Sequence, residues 1–448
     1  WLKLLSMLGS LWARPASARK SGLAVAAAAA IISGRGPLAG QLRFAMAPSE
    51  TIAPRPSKRI RHTDEPCIVA MQRMLRGKEG IMSLAQGIVH WSPPEEVREA
   101  SLKAAHEPCT NAYCADDGLP VLRQELKAKL REENGLDGVE VMVTAGANQA
   151  YANLVCTLLD SEDSAVLFSP YYFNHRMAIQ MTGGSENILL APTTKDFLPD
   201  ADWLEQRLNR PPEGEQVRLV TVVNPGNPTG VTLPRPELER LSAICAKHSV
   251  WLIVDNTYEH FTYEEEGHPS HSCISGDHVV NVFSFSKAFG MMGWRIGYLA
   301  FPERLGPELM KVQDTIAICP AVASQKAALA ALRVGRPWVK KQVAGLADNR
   351  RTLIDAVESA LGKGVVAGGS GAIYLLVQLP PGSDDVKVVE WLSEKYKVCA
   401  IPGSACGSPG VIRLCYANLA PPKCKEAAGR LKAGLTELKA RGPDVVHS

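Results

Sequence analysis

The stretch on which the reading turns is FSFSKAFGMMGWRIGY, residues 283–298. One apolar run, VVNVF, leads into it and a second, IGYLAF, leads out, so Lys287 stands just past the end of a buried-looking strand. Burial disfavours a lysine cation, because desolvation penalises the charged form and lowers the pKa. A lysine with a lowered pKa is a nucleophile suited to Schiff-base chemistry, although a strand-end lysine without company is ordinarily just solvated. The company here is specific: hydroxyls at Ser284 and Ser286, glycines at 290 and 293 that let the chain turn back, and Arg295 eight residues on, able to fork onto a phosphate.

Working outward, VMVTAG (141–146), AVLFSP (165–170), RLVTVVNP (218–225), VWLIVDNT (250–257) and VVNVFSFS (279–286) are short, β-branched and bounded by Gly, Pro or Asn. Stretches of helical periodicity separate them, which predicts an α/β fold with a mostly parallel central sheet flanked by helices. Beyond about residue 335 the pattern changes to one long helix (VKKQVAGLADNRRTLIDAVESAL), short strands (AIYLLVQL, VIRLCY) and a last helix, a smaller α+β domain. The organisation expected is a leader over 1–45, a linker over 46–65, a segment over 66–115 packing with the small domain, a large domain over 116–335 and a small one over 336–448.

Ligands of open α/β sheets bind at the carboxyl ends of the strands, so those ends carry the argument. Asp255 ends its strand in VDNTYEHF, and a buried carboxylate there needs a cationic or donor partner. A protonated pyridine nitrogen is such a partner, as in sites for pyridoxal 5'-phosphate (PLP), although capping the next helix is the ordinary use of such an Asp. NPGNPTG (224–230) is a rigid turn that can fix the amide of Asn227, and Asn227 with Tyr258 can donate to a phenolate oxygen. TAGANQA (144–150) places small residues, among them Ala147 and Asn148, where a helix N-terminus can receive a phosphate, with Ser284, Ser286 and Arg295 completing the site. Either Tyr171 or Tyr172, at another strand end, can stack on a flat ring, with core packing as the plainer reading. Arg413, inside the apolar VIRLCY with no acidic neighbour in sequence, wants a planar anion such as a substrate carboxylate.

Composition narrows the class. The chain has 448 residues, 46% hydrophobic and 21% charged, with a net charge of +3, which gives no pointer to nucleic acid or membrane partners. Residues 1–45 hold Lys3, Arg14, Arg19, Lys20, Arg35 and Arg43 and no acidic residue, leaving the body mildly acidic. Two readings stay open: an organellar (chloroplast or mitochondrial) transit segment, or upstream sequence with the true start at Met46 and a cytoplasmic protein. The apolar stretch LAVAAAAAII is too short to span a bilayer, and PRPSKRIRH (54–62) reads as a solvated linker. Eleven scattered cysteines, with no CxxC and no His/Cys cluster, argue for reduced thiols and against a metal site. Cys406 and Cys415 are possible pocket neighbours that read first as small buried hydrophobes.

Together these pieces resemble the fold-type I, class I/II PLP-dependent aminotransferases, over about residues 66–440. The resemblance implies that Lys287 carries PLP as a Schiff base and then serves as the base, with Ser284 and Arg295 on the phosphate, Asp255 at the ring nitrogen, Asn227 and Tyr258 at the ring oxygen, and Tyr172 stacked on the ring. It implies that Tyr113, in AYCADDGLPVLR, reaches the phosphate of a second subunit in a homodimer, and that Gly87, Asn227 and Arg413 meet the substrate. MSLAQGxVxW, VMVTAGANQA, VVNPGNP, WLIVDNTYE and NVFSFSK look most like the plant aromatic-amino-acid/methionine branch, which implies transfer between methionine or an aromatic amino acid and a 2-oxo acid. Three departures bear on substrate preference: Gly87-Ile-Val89, Asp255-Asn256, and PGSACG (402–407), where a small residue replaces a common Phe and can widen the pocket or expose Cys406. The competing readings are a PLP lyase or synthase acting on a sulfur amino acid, and a PLP-binding regulator without turnover.

Overall fold

The structure is a computed structural model that describes residues 54–182, 187–264 and 267–447, and Pro56–Ser448 forms one compact unit. The leader of residues 1–45 and residues 46–53 of the linker lie outside the described residues. Seven strands build the main sheet: β1 (Glu140–Thr144), β2 (Ser164–Phe168), β3 (Ile188–Ala191), β4 (Val217–Val223), β5 (Trp251–Asp255), β6 (Val279–Ser284) and β7 (Gly297–Phe301). Their spatial order is β1-β7-β6-β5-β4-β2-β3, and β7 alone runs antiparallel to its neighbours. The five quoted apolar runs are all strands of this sheet, buried on both faces as continuous β-branched runs require.

Two strands carry information absent from those five runs. The edge strand β3 comes from ILLA, a short, half-exposed run that periodicity cannot tell from a turn of helix. Strand β7 comes from the IGYLAF run, and its reversal sets Gly297 beside Ser284 at the carboxyl end of β6. The chain therefore leaves β6, passes Lys287 and Arg295, and returns along the adjacent strand, so both residues stay at one end of the sheet.

The helices that bear on the site are α1 (Cys67–Leu75), α2 (Ala147–Leu158), α3 (Phe173–Thr182), α4 (Arg336–Ala344), α5 (Ala347–Leu361) and α6 (Pro421–Arg441). The long helix expected after residue 335 is two helices. Gly345, a poor helix former, tightens the chain into a Leu346 N–H to Val343 carbonyl bond, and the turn drops Leu346 into the core before α5 begins. Helix α5 packs on α6 beside a second, antiparallel sheet: β8 (Val366–Gly368), β9 (Tyr374–Gln378), β10 (Ile401–Pro402) and β11 (Val411–Cys415), in the order β10-β11-β9-β8. Residues 82–90 are stitched to this side of the molecule: Met82–Ser83 pairs with Val398–Cys399, and the His90 amide donates to Ala417. Among the described residues no helix is long and apolar enough to cross a membrane, and no cluster of His, Cys, Asp and Glu is set to hold a metal.

Candidate active site

Strands β4, β5 and β6 end at Val223, Asp255 and Ser284, and all three residues border one cavity, at the carboxyl edge where open α/β sheets place their ligands. Lys287 lies half-buried in its wall. Burial, the largest cause, lowers its pKa to about 8; Arg295 and Arg413 push the same way, while Cys415 and Asp255 push back. At neutral pH the amine is thus far closer to its neutral, nucleophilic form than an exposed lysine is.

At one end of the cavity the geometry is an anion cradle. Gly146 takes φ +86°, which a residue with a Cβ adopts only with strain, and hands the chain into α2 with no side-chain cap and no acidic residue in the first turn. Ala147 and Asn148 border the cavity from that turn. Arg295 stands against it, donating to the carbonyls of Ala145 (3.3 Å) and Met292 (2.9 Å), two neutral partners that leave its charge uncompensated. Its own backbone is left-handed at φ +52°, a costly conformation for a non-glycine residue. Ser284 and Ser286 complete the wall, the Ser284 hydroxyl accepting from the Ser286 amide at 3.1 Å.

Asp255 has a partner that sequence reasoning missed. His175, on α3, places Nε2 3.2 Å from its Oδ2, and the Thr257 amide donates to its Oδ1 at 2.9 Å. Burial, the largest influence, works against ionisation, but the His175 bond and charge together with Thr257 outweigh it and hold the carboxyl below its ordinary range. The imidazole is itself fixed, stacked on Tyr151 at 4.0 Å, whose hydroxyl lies 2.9 Å from that of Thr221. The one available signal was a histidine in the helix just after the quoted tyrosine pair.

Of that pair, Tyr172 faces the cavity, its hydroxyl accepting from Asn174 at 2.9 Å, whereas Tyr171 is buried in the core. At the opposite end, Arg413 is 2% exposed and forms no ion pair among the described residues. It donates to Asn227 Oδ1 (2.8 Å) and the Ala85 carbonyl (2.9 Å), and its Nε has no partner. A buried guanidinium with an orphaned N–H beside a cavity fits an incoming carboxylate. Asn227, its oxygen committed to Arg413, has its NH2 left to donate. Tyr258 and Gly87 also border the cavity, and so does Tyr374, another residue that sequence reasoning passed over.

One expected site residue is not brought in: Tyr113 is 80% exposed and outside the cavity wall. The stretch 402–407 neither borders the cavity nor exposes Cys406, in keeping with the plainer reading of a small buried hydrophobe. Cys406 is 1% exposed and does not border the cavity, because the Tyr171 ring packs against Gly407 and the Tyr171 amide donates to the Cys406 carbonyl. Burial pushes its thiol up to about 12, and raises that of the equally buried Cys415, as expected of small hydrophobes.

A profile of the aminotransferases of class I and II matches residues 79–431. The chain belongs to that family. An aromatic aminotransferase of Arabidopsis thaliana (ISS1) is 49% identical over 391 residues, covering 86% of this chain and 98% of its own. An aspartate/prephenate aminotransferase of Thermus thermophilus is 31% identical, over 75% of this chain and 87% of its own. The solved aspartate aminotransferase of Thermus thermophilus with maleate superposes with a TM-score of 0.77 at 29% identity, covering 85% of this chain and all of that one. The aminotransferase is accordingly a PLP-dependent enzyme of fold-type I that moves amino groups between amino acids and 2-oxo acids. Its cavity suits that cofactor: an uncapped helix start and Arg295 for a phosphate, an ionised Asp255 for a ring cation, and a low-pKa amine at Lys287.

Proposed function

We propose that this aminotransferase takes methionine or an aromatic amino acid as amino donor and works as a homodimer. The observation that carries the donor class is the cavity wall: Ile68, Ile88 and Met292 are apolar, and among the described residues Arg413 is the only bordering arginine not turned to the helix start. A donor with one carboxylate and an apolar side chain fits one free guanidinium and an apolar wall, whereas an acidic side chain would meet no second free guanidinium among the described residues of the wall. The aromatic activity in the printed name of the 49%-identical relative points the same way.

In this reading Arg295, Ser284, Ser286 and the amides of Ala147 and Asn148 would hold the phosphate, Tyr172 would cover the ring, Asp255 would pair with its nitrogen, and Asn227 and Tyr258 would donate to its oxygen. Bound PLP supplies an electron-withdrawing ring that acidifies the α-proton of the amino acid joined to it. Arg413 grips the α-carboxylate and fixes the orientation of the Cα–H bond, and Gly87 leaves room for that carboxylate beside it. Lys287 Nζ, with a pKa close to the working pH, would act as the general base that takes up the α-proton and gives one back.

The visible spectrum tests this directly. The cofactor band of the purified protein is expected to bleach on adding methionine, phenylalanine or tryptophan without an acceptor, and to return on adding a 2-oxo acid. Aspartate and alanine should bleach it far more slowly. Bleaching by aspartate alone would overturn the donor class, and release of ammonia or thiol would move the enzyme to the lyases. For the dimer, Tyr113 lies outside its own cavity and 80% exposed, free to serve a second copy. Sedimentation is expected to give twice the chain mass, and Tyr113→Phe to weaken PLP retention about tenfold, the scale of one hydrogen bond to a charged group. A fully active monomer would contradict the assignment.

A further inference from the structure

None of these roles uses Tyr374, yet it touches groups that carry three of them. It opens β9, where the register with β11 sets Leu376 opposite Arg413 and Tyr374 opposite Cys415. Residues two apart on a strand share a face, so Tyr374 and Arg413 are diagonal neighbours on one face. The guanidinium accordingly lies over the Tyr374 ring, 4.4 Å from its centroid. At the other end of the ring the Tyr374 hydroxyl lies 2.6 Å from that of Tyr258, and the two rings meet edge to face at 5.5 Å and 80°. The backbone at Gly87 closes the third side, where a Cβ would collide with the Tyr374 hydroxyl. Tyr374 is thus held on three sides at the cavity wall, 2% exposed.

We propose that Tyr374 is a positioning residue that directs the Tyr258 proton into the cavity and presents the Arg413 guanidinium to the substrate carboxylate, an inference that rests on the roles given above to Tyr258 and Arg413. In a pair of hydroxyls one donates and the other accepts. Tyr258 can donate to an oxygen in the cavity only if it accepts from Tyr374, which forms no other side-chain hydrogen bond among the described residues. Burial keeps both phenols protonated, and the Arg413 charge against its ring makes Tyr374 the better donor of the two. The proton order therefore runs from Tyr374 to Tyr258 to the cavity.

The test uses the PLP-loaded enzyme without substrate, following the pH midpoint of the cofactor's visible band. A donor to the cofactor's ring oxygen favours its negatively charged form and holds the midpoint low, so Tyr258→Phe should raise it. Tyr374→Phe should raise it by about half a unit to one unit, the size of one neutral hydrogen bond. The double variant should match Tyr258→Phe alone. Tyr374→Phe keeps the ring, so KM for the donor should hold within about twofold, while Tyr374→Leu removes it and should raise KM about fivefold to thirtyfold. A Tyr374→Phe midpoint equal to wild type, or a shift that persists without the Tyr258 hydroxyl, overturns the proposal while leaving Tyr258 in place. A Tyr258→Phe midpoint equal to wild type overturns the role of Tyr258, and the proposal falls with it.

Discussion

Lys287→Ala is expected to leave a folded protein whose turnover is lower by about 10⁴-fold or more, since the change removes both the covalent anchor and the general base. A general base alone is worth about 10² to 10⁴, and among the described residues no second amine borders the cavity to replace Nζ. Stability should move the other way. The folded protein lowers the lysine pKa to about 8, so below that pH a charged amine is held where water would serve it better. Without cofactor, wild type is then less stable than the alanine variant at neutral pH. The gap closes as pH rises from about 8 through the unfolded-chain value of about 10.4, where the unfolded chain binds the extra proton. Paired thermal melts at pH 7 and above that range check the sign, and steady-state rates check the chemistry. Wild-type turnover in the variant would end the assignment of Lys287.

Arg413→Met is the second large effect. It should lower kcat/KM for the amino donor by about 10² to 10³, the range for losing a buried charge partner, with most of the change in KM. Thermal stability should fall little, because the variant removes a buried cation that has no counter-ion and one N–H without a partner. Arg413→Lys should rescue only part of the loss, since a point charge cannot reproduce the planar fork held between Asn227 and Ala85. Steady-state kinetics on all three proteins decide the matter. An unchanged KM in Arg413→Met would place the substrate carboxylate elsewhere.

Much of this site was legible because parallel strands end in turns that use small, polar and rigid residues. The turns after β1, β4, β5 and β6 announced Asn148, Asn227, Asp255 and Lys287 in that way, and all four border one cavity. What escaped were partners whose identity depends on packing between distant segments. His175 reads as an ordinary helix residue until α3 lies against the end of β5. Tyr374 reads as one more apolar strand residue until the β9–β11 register sets it under Arg413. The break at Gly345 was visible as a glycine, but the pull of Leu346 into the core was not. Whether 402–407 would open the pocket or bury Cys406 depended on which way the Tyr171 ring turns, a choice made by packing.

The return of the chain along β7 has a consequence for how such an enzyme can change over time. Ser284, Ser286, Lys287 and Arg295 sit within twelve consecutive residues because the strand that follows them doubles back. The anchoring lysine and three of the phosphate-end residues are thereby inherited as a single block, in which an insertion or deletion would damage several contacts at once. The grip on the substrate carboxylate is assembled instead from residues 85, 227 and 413, with 87 and 374 beside them. The apolar wall residues Ile68 and Ile88 belong to neither group, so donor preference can be retuned there by small independent steps while the handling of PLP stays fixed.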